Sequence, residues 1–243
     1  MSINPDSSSH SSLSSSYLSS STLVRFPIID QTRGVAVALM IFFHASFDLT
    51  AFGYLKIDFI EEKFWYFLPR LIVFLFLFCV GISLAMAHAQ KIRWEKFWPR
   101  LGKIAFFSVV VSLTTYLMFP DRWIYFGTLH CITLTSLMAL PFLDRPKISL
   151  LIALALFIPS IFFDYNLPWF VLGHKSMDYI APFPWFGAVC LGIFAFHYKF
   201  HQIDSQRIAG GKILSWLGIN ALWIYMLHQP LLYGIVLGTS YFF

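Results

Sequence analysis

Hydrophobic and polar positions divide this chain into seven long apolar runs separated by short polar ones. The runs fall at about 31–53, 65–87, 103–119, 123–142, 148–163, 184–198 and 213–238. Each approaches the length of about 20 residues that a helix needs to cross a hydrocarbon layer about 30 Å thick. None shows the strict alternation of a half-buried strand. The pattern predicts an all-α, polytopic integral membrane helical bundle of about seven transmembrane helices.

The first run departs from the pattern. Gly34 to Phe43 is apolar, yet Asp30, Arg33, His44 and Asp48 lie on the same predicted helix. At 100° per residue these four fall within an arc of about 60°. A charge near the bilayer centre costs about 2.5–3.5 kcal/mol on insertion scales. Four ionisable groups on one stripe therefore have to face a protein interior or a wet cavity, which marks a functional site.

Composition agrees with the membrane reading. The chain is 58% hydrophobic and 12% charged, with mean hydropathy +0.70, 28 Phe and 8 Trp. Its net charge of +5 does not point to nucleic acid, because the basic residues sit between apolar runs and form no recognition helix. Residues 1–24 are Ser-rich, without a basic start or apolar core. They read as a disordered cytoplasmic tail ahead of a membrane domain over 25–243. Cys79, Cys131 and Cys190 lie inside apolar runs at no metal or disulfide spacing and read as packing residues.

Loop charges set an orientation. With the N-terminus in the cytoplasm, twelve of the 17 Lys and Arg fall inside, five of them in the loop Lys91, Arg93, Lys96, Arg100, Lys103. The positive-inside rule thus places the N-terminus in the cytoplasm.

Depth follows from orientation. His44 lies roughly 16 Å outward of Arg33 at 1.5 Å per residue. His130 on the fourth run and His228 on the seventh fall in the same outer slab, with Asp178 and Tyr179 just above. Arg33, Ser83 and His88 fall near the cytoplasmic face. The i, i+4 spacing lets Asp48 orient His44, the arrangement a general base requires. Pro230 removes an N–H from the last helix, so a kink beside His228 is expected. His88, His174, His197 and His201, at helix ends and in loops, read as solvated surface. His44, His130 and His228 lack His-x3-His or Glu-x-x-His spacing, so no metal is expected. Gly81-Ile-Ser83 reads either as close helix packing or as a ligand contact.

Several stretches carry a resemblance. They are Ile29-Asp-Gln-Thr-Arg-Gly34 with Met40-Ile-Phe-Phe-His44 and Phe47-Asp48, then Phe78-Cys-Val-Gly-Ile-Ser83 and Phe126-Gly-Thr-Leu-His130. Further on come Asp178-Tyr-Ile-Ala-Pro-Phe-Pro-Trp-Phe-Gly187 and Leu217-Gly-Ile-Asn-Ala-Leu-Trp-Ile-Tyr-Met-Leu-His-Gln-Pro230. With these the chain resembles the bacterial heparan-α-glucosaminide N-acetyltransferase catalytic-domain family, within the wider transmembrane acyltransferase superfamily. Arg33 and His44 also look like the Arg-x10-His element of the acyltransferase-3 proteins, where the pair is associated with the acyl donor and the transfer step.

The resemblance implies an enzyme of the bacterial inner membrane that moves an acyl group, with acetyl expected, from cytoplasmic acyl-CoA to a sugar or envelope-glycan acceptor. Acyl-CoA (acetyl-CoA) is then a co-substrate, and no cofactor is permanently bound. Two departures stand out. The histidine credited with catalysis in the lysosomal relative has no counterpart here, since no His lies between 45 and 87. The relatives also have ten or eleven spans, so a homodimer or a further partner would complete the site.

The expected assignments follow. His44, Asp48, His130 and His228 are the catalytic candidates, with His44 as general base or as acyl carrier. Arg33, Ser83, Lys91 and Arg93 would hold the CoA end, where cations suit phosphate. Asp178, Tyr179, Trp185 and Tyr225 would line the acceptor side. Two other classes compete. A transporter would use the same stripe as a proton or substrate path, although no internal repeat supports it. A non-catalytic scaffold would tolerate Ala at Arg33, His44 and His228.

Overall fold

The computed structural model describes residues 26–205 and 209–240, all of whose regular structure is helical. The Ser-rich segment 1–24 lies outside the described residues, as do Arg25 and Arg207 of the charge count. The helices are α1 (Pro27–Ala51), α2 (Lys63–Ala87), α3 (Trp94–Met118), α4 (Thr128–Ala139), α5 (Pro146–Phe163), α6 (Pro182–His197), α7 (Gly211–Ile219) and α8 (Ala221–Ser240). Pro27, Pro146 and Pro182 open α1, α5 and α6, where a missing N–H costs no hydrogen bond.

Five helices, α1, α2, α3, α5 and α8, are long and apolar enough to cross a membrane. The fourth and sixth runs form shorter apolar helices, Thr128–Phe142 (α4 with its closing 3-10 turn) and Pro182–His197. The third begins at Trp94, well before the expected start near 103. Lys96, Arg100 and Lys103 lower the hydropathy of that stretch, but Phe97 and Leu101 repeat at i, i+4 and are buried, so the helix continues through the charges.

The last run is two helices instead of one. The interruption lies at Asn220 (φ −94°, ψ 11°), and α8 runs on through Pro230, where the kink was expected. Packing explains the place. Gly34 of α1 lies against the Leu214 carbonyl of α7, and Gly218 of α7 against the Asp30 carbonyl, so neither position has room for a methyl group. Two backbones in such contact hold α7 to α1, and the Asn220 side chain closes α7 by donating to the Trp216 carbonyl at 2.9 Å. The same device joins α2 to α6. Gly81 meets the Val189 carbonyl and Gly192 meets the Phe78 carbonyl.

Two cores result. The larger, built from α2, α4 and α6 with Phe97 and Leu101 of α3, includes Leu77, Leu84, Val189 and Ile193. The smaller packs Ala36, Val37 and Met40 of α1 against Leu68, Ile72 and Phe76 of α2 and Ala221 of α8. Cys79, Cys131 and Cys190 are fully buried free thiols within this packing. The outward faces carry Phe106, Leu117, Ile161, Phe162 and Ile213, all more than half exposed, as a lipid-facing surface requires. Together these features describe an integral membrane protein.

Candidate active site

The stripe on α1 faces protein. At its inner end Arg33 Nη1 donates to Asp30 Oδ1 and to the Gly218 carbonyl, both at 3.3 Å, and Nη2 donates to Ser83 Oγ at 3.0 Å. One guanidinium thereby ties α1, α2 and α7 together. Gly81 and Ser83 divide the work of their short motif: the glycine packs on α6 and the serine meets Arg33. Lys91 is exposed in the following loop and Arg93 is half-buried. Arg100 of α3 lies close enough to Arg33 for the two charges to act on each other.

His88 is not solvated surface as expected. It is 3% exposed, and its Nδ1 accepts the Arg93 N–H at 3.0 Å, so it closes the turn between α2 and α3. Burial, then the Arg100 and Arg93 charges, push its pKa below the ordinary value of 6.5. His201 departs from expectation in the same way. It is buried and stacked on Phe196 with ring centroids 4.7 Å apart, and burial lowers its pKa.

At the outer end of the stripe, His44 and His228 meet edge to face with ring centroids 4.8 Å apart. His44 Nδ1 lies 2.9 Å from the Met40 carbonyl, and His228 Nδ1 lies 2.8 Å from the Tyr225 carbonyl. A carbonyl only accepts, so each Nδ1 carries a proton, and in the neutral ring each Nε2 then presents a lone pair. His228 Nε2 is buried with no hydrogen-bond partner among the described residues. Two neutral imidazoles, with neither Nε2 hydrogen-bonded among the described residues, make the arrangement a proton acceptor needs.

Asp48 does not orient His44. Its carboxylate, 3% exposed, instead receives both of its hydrogen bonds from Gln229 Nε2, at 3.0 and 3.2 Å. The i, i+4 register places Asp48 one turn from His44, but the Met40 carbonyl already occupies Nδ1 from the opposite side.

His130 also stands apart from the pair. Its Nδ1 accepts the Gly127 N–H at 3.2 Å, and its Nε2 lies 3.1 Å from Ser112 Oγ. Ser112 spends its own proton on the Ile124 carbonyl, so His130 donates from Nε2. Both ring nitrogens are thus committed to the N-terminus of α4 and its link to α3. A helix start leaves N–H groups open, and this imidazole closes one of them.

Asp178 closes another from the 164–181 loop. Its Oδ2 accepts the Thr128 N–H at 3.0 Å and the Thr128 hydroxyl at 3.2 Å. Gly127 permits the approach, since a Cβ there would strike that oxygen. Tyr225 Oη also reaches Asp178 Oδ2, at 3.5 Å, and the Tyr225 ring lies 5.8 Å from that of His228. A polar line therefore runs from His44 through His228 and Tyr225 to Asp178.

Tyr179 and Trp185 are not on that line. The Tyr179 hydroxyl donates to the Phe170 carbonyl at 2.8 Å within its own loop, and burial, then Tyr125, raise its pKa. Trp185 packs against the larger core.

Beyond Asp48, an open groove of about 550 Å³ begins at Thr50 and is lined by Lys56, Ile57, Asp58, Phe59 and Glu62. The Glu61 and Ile60 N–H groups hold the Asp58 carboxyl below the usual carboxylate range.

Sequence comparison speaks to this arrangement directly. The family described as heparan-alpha-glucosaminide N-acetyltransferase, catalytic, matches residues 25–230. The chain belongs to this family. No curated protein and no solved structure gives a significant match. As a member of the heparan-α-glucosaminide N-acetyltransferase catalytic-domain family, the chain belongs among membrane acetyltransferases. The matched range takes in both ends of the α1 stripe, and it closes on Pro230 just after His228 and Gln229.

Proposed function

We propose that this protein transfers an acyl group, acetyl being the simplest, from cytoplasmic acyl-CoA to a hydroxyl or amine of a glycan acceptor on the far side of the membrane. The observation that carries the reading is the His44–His228 pair. The two rings meet, His228 Nε2 has no hydrogen-bond partner among the described residues, and His44 sits on the helix that holds Arg33 about 16 Å away at its opposite end.

Arg33 and Ser83, with Lys91 and Arg93 at the mouth, receive the phosphates of the donor, and the extended arm carries the thioester toward His44. The acceptor's X–H group attacks the thioester carbonyl carbon. The X–C bond forms, the C–S bond breaks, and His44 Nε2 takes the proton and passes it to the departing thiolate. Nδ1–H bonding to the Met40 carbonyl keeps His44 in the tautomer that receives a proton at Nε2. Tyr225 and Asp178 border the acceptor side. In this orientation the N-terminus is cytoplasmic, in keeping with the basic loop between α2 and α3.

The test is acetyl-CoA turnover by purified protein in nanodiscs, wild type against His44→Ala. The wild type is expected to release CoA in an acceptor-dependent manner, and the variant to do so at least about 100-fold more slowly. An equal rate in the two proteins sinks the proposal.

A further inference from the structure

Gln229 carries no charge and no reactive atom, yet it is the residue that meets Asp48. Its Nε2 donates to both carboxylate oxygens, at 3.0 and 3.2 Å. That contact sets the amide, since turning Nε2 toward the carboxylate turns Oε1 away. Oε1 is buried and has no hydrogen-bond partner among the described residues, and His228 Nε2 on the preceding residue is in the same condition. His228 spends its only N–H on backbone carbonyls. Two successive residues of α8 therefore carry two buried acceptors without a partner among the described residues, while their donors are already committed.

Buried acceptors cost free energy until a donor reaches them, and within a membrane protein bulk water does not supply one freely. The side chains on the facing stretch of α1 do not help: His44 presents a lone pair at Nε2, and the Asp48 carboxylate is acceptor-only when ionised. A ligand that brings donor groups would satisfy both acceptors.

We propose that His228 Nε2 and Gln229 Oε1 form a donor-selecting subsite that holds an O–H or N–H on the carbon next to the acceptor's attacking group. This rests on the acyl-transfer reading, in which the attacking group itself is at His44. It assigns Gln229 a binding role, with Asp48 as the positioning residue that sets the direction of its amide. Acceptors with vicinal donor groups are matched. Those with an ether in the second place put a lone pair against two lone pairs.

The test uses the full chain in nanodiscs with acetyl-CoA and two small amines, ethanolamine and methoxyethylamine. They share the nucleophile and differ in whether the neighbouring oxygen carries a proton. The wild type is expected to favour ethanolamine by about tenfold or more in kcat/KM, and Gln229→Leu to bring the ratio within about twofold. The ratio is taken within one protein, so a poorly folding variant loses rate on both amines and the ratio survives. Asp48→Asn combined with Gln229→Glu reverses the clamp, with Asn donating to Glu. It keeps an acceptor oxygen and is expected to keep the preference.

A wild-type ratio near one overturns the subsite and leaves acyl transfer standing. So does an unchanged ratio in Gln229→Leu, a preference lost in the reversed pair, or acetyl-CoA cleavage without transfer to ethanolamine. A wild type that neither cleaves acetyl-CoA nor acetylates either amine removes the acyl-transfer reading, and the subsite with it.

Discussion

The two ends of α1 bury polar groups in opposite ways. At the inner end Arg33 has three protein partners, and glycines bring the surrounding backbones into contact. At the outer end His44 and His228 satisfy their Nδ1–H groups locally, and His228 Nε2 is buried without a donor among the described residues. A satisfied buried network rigidifies, whereas an unsatisfied one stores a demand that a ligand can meet. The inner end is therefore a closed hydrogen-bonded network, while the outer end keeps a buried basic nitrogen open. His130 sharpens the contrast: it is the same residue type, with both nitrogens committed to a helix start.

The largest effect expected from this contrast is on rate. His44→Ala and His228→Ala should each lower acetyl transfer by about 100-fold or more while thermal unfolding in detergent shifts by only a few degrees. If either variant loses stability and rate in proportion, the two ends are alike and the contrast is gone.

Next comes Gly218→Ala. The added methyl overlaps the Asp30 carbonyl, so α7 has to move off α1 at a cost of about 3 kcal/mol, read as a lowered unfolding temperature. Arg33→Ala should cost about 2–3 kcal/mol, since it leaves Asp30 and the Gly218 carbonyl without their donor. Arg33→Lys should recover only part of this, because an ammonium cannot reproduce the fork. Asp178→Asn should cost about 1 kcal/mol through the weakened cap on α4, with a change in rate far smaller than that of His44→Ala.

The smallest expected effect is a slope with pH. The pKa of His88 in the folded protein lies below its ordinary 6.5, so near and below that value the unfolded chain takes up the proton first. The stability tied to neutral His88 is therefore fully present above pH 6.5 and is lost as pH falls toward the folded pKa. Unfolding temperatures measured between pH 7.5 and about 5 should decline in the wild type and decline less in His88→Asn.

The stripe on α1 was legible in the sequence because a helix repeats at 100° and four ionisable residues kept that repeat. The helical class was equally open, since apolar runs of bilayer length leave few alternatives. Azimuth was not available. Depth grouped His130 with His44 and His228, but depth does not say which way a ring points or which backbone groups claim its nitrogens. Gln229 went unnoticed because an amide carries no charge to flag it, so Asp48 was paired with the nearest ionisable residue, His44. Pro230 is the stronger local signal and predicts a kink in one continuous helix, but the interruption lies at Asn220, where α7, held to α1 by its glycine contacts, ends. His88 and His201 showed that a position at a helix end does not amount to exposure when a loop folds over it.

The division at Asn220 makes the His44–His228 distance a matter of leverage. His44 belongs to α1, to which α7 is fastened, while His228 rides eight residues out along a separate rod. At 1.5 Å per residue that arm is about 12 Å long, so each 10° of tilt at its base carries the imidazole roughly 2 Å. A rotation at this one asparagine would therefore change the separation of the two rings more than any equal rotation further along the arm.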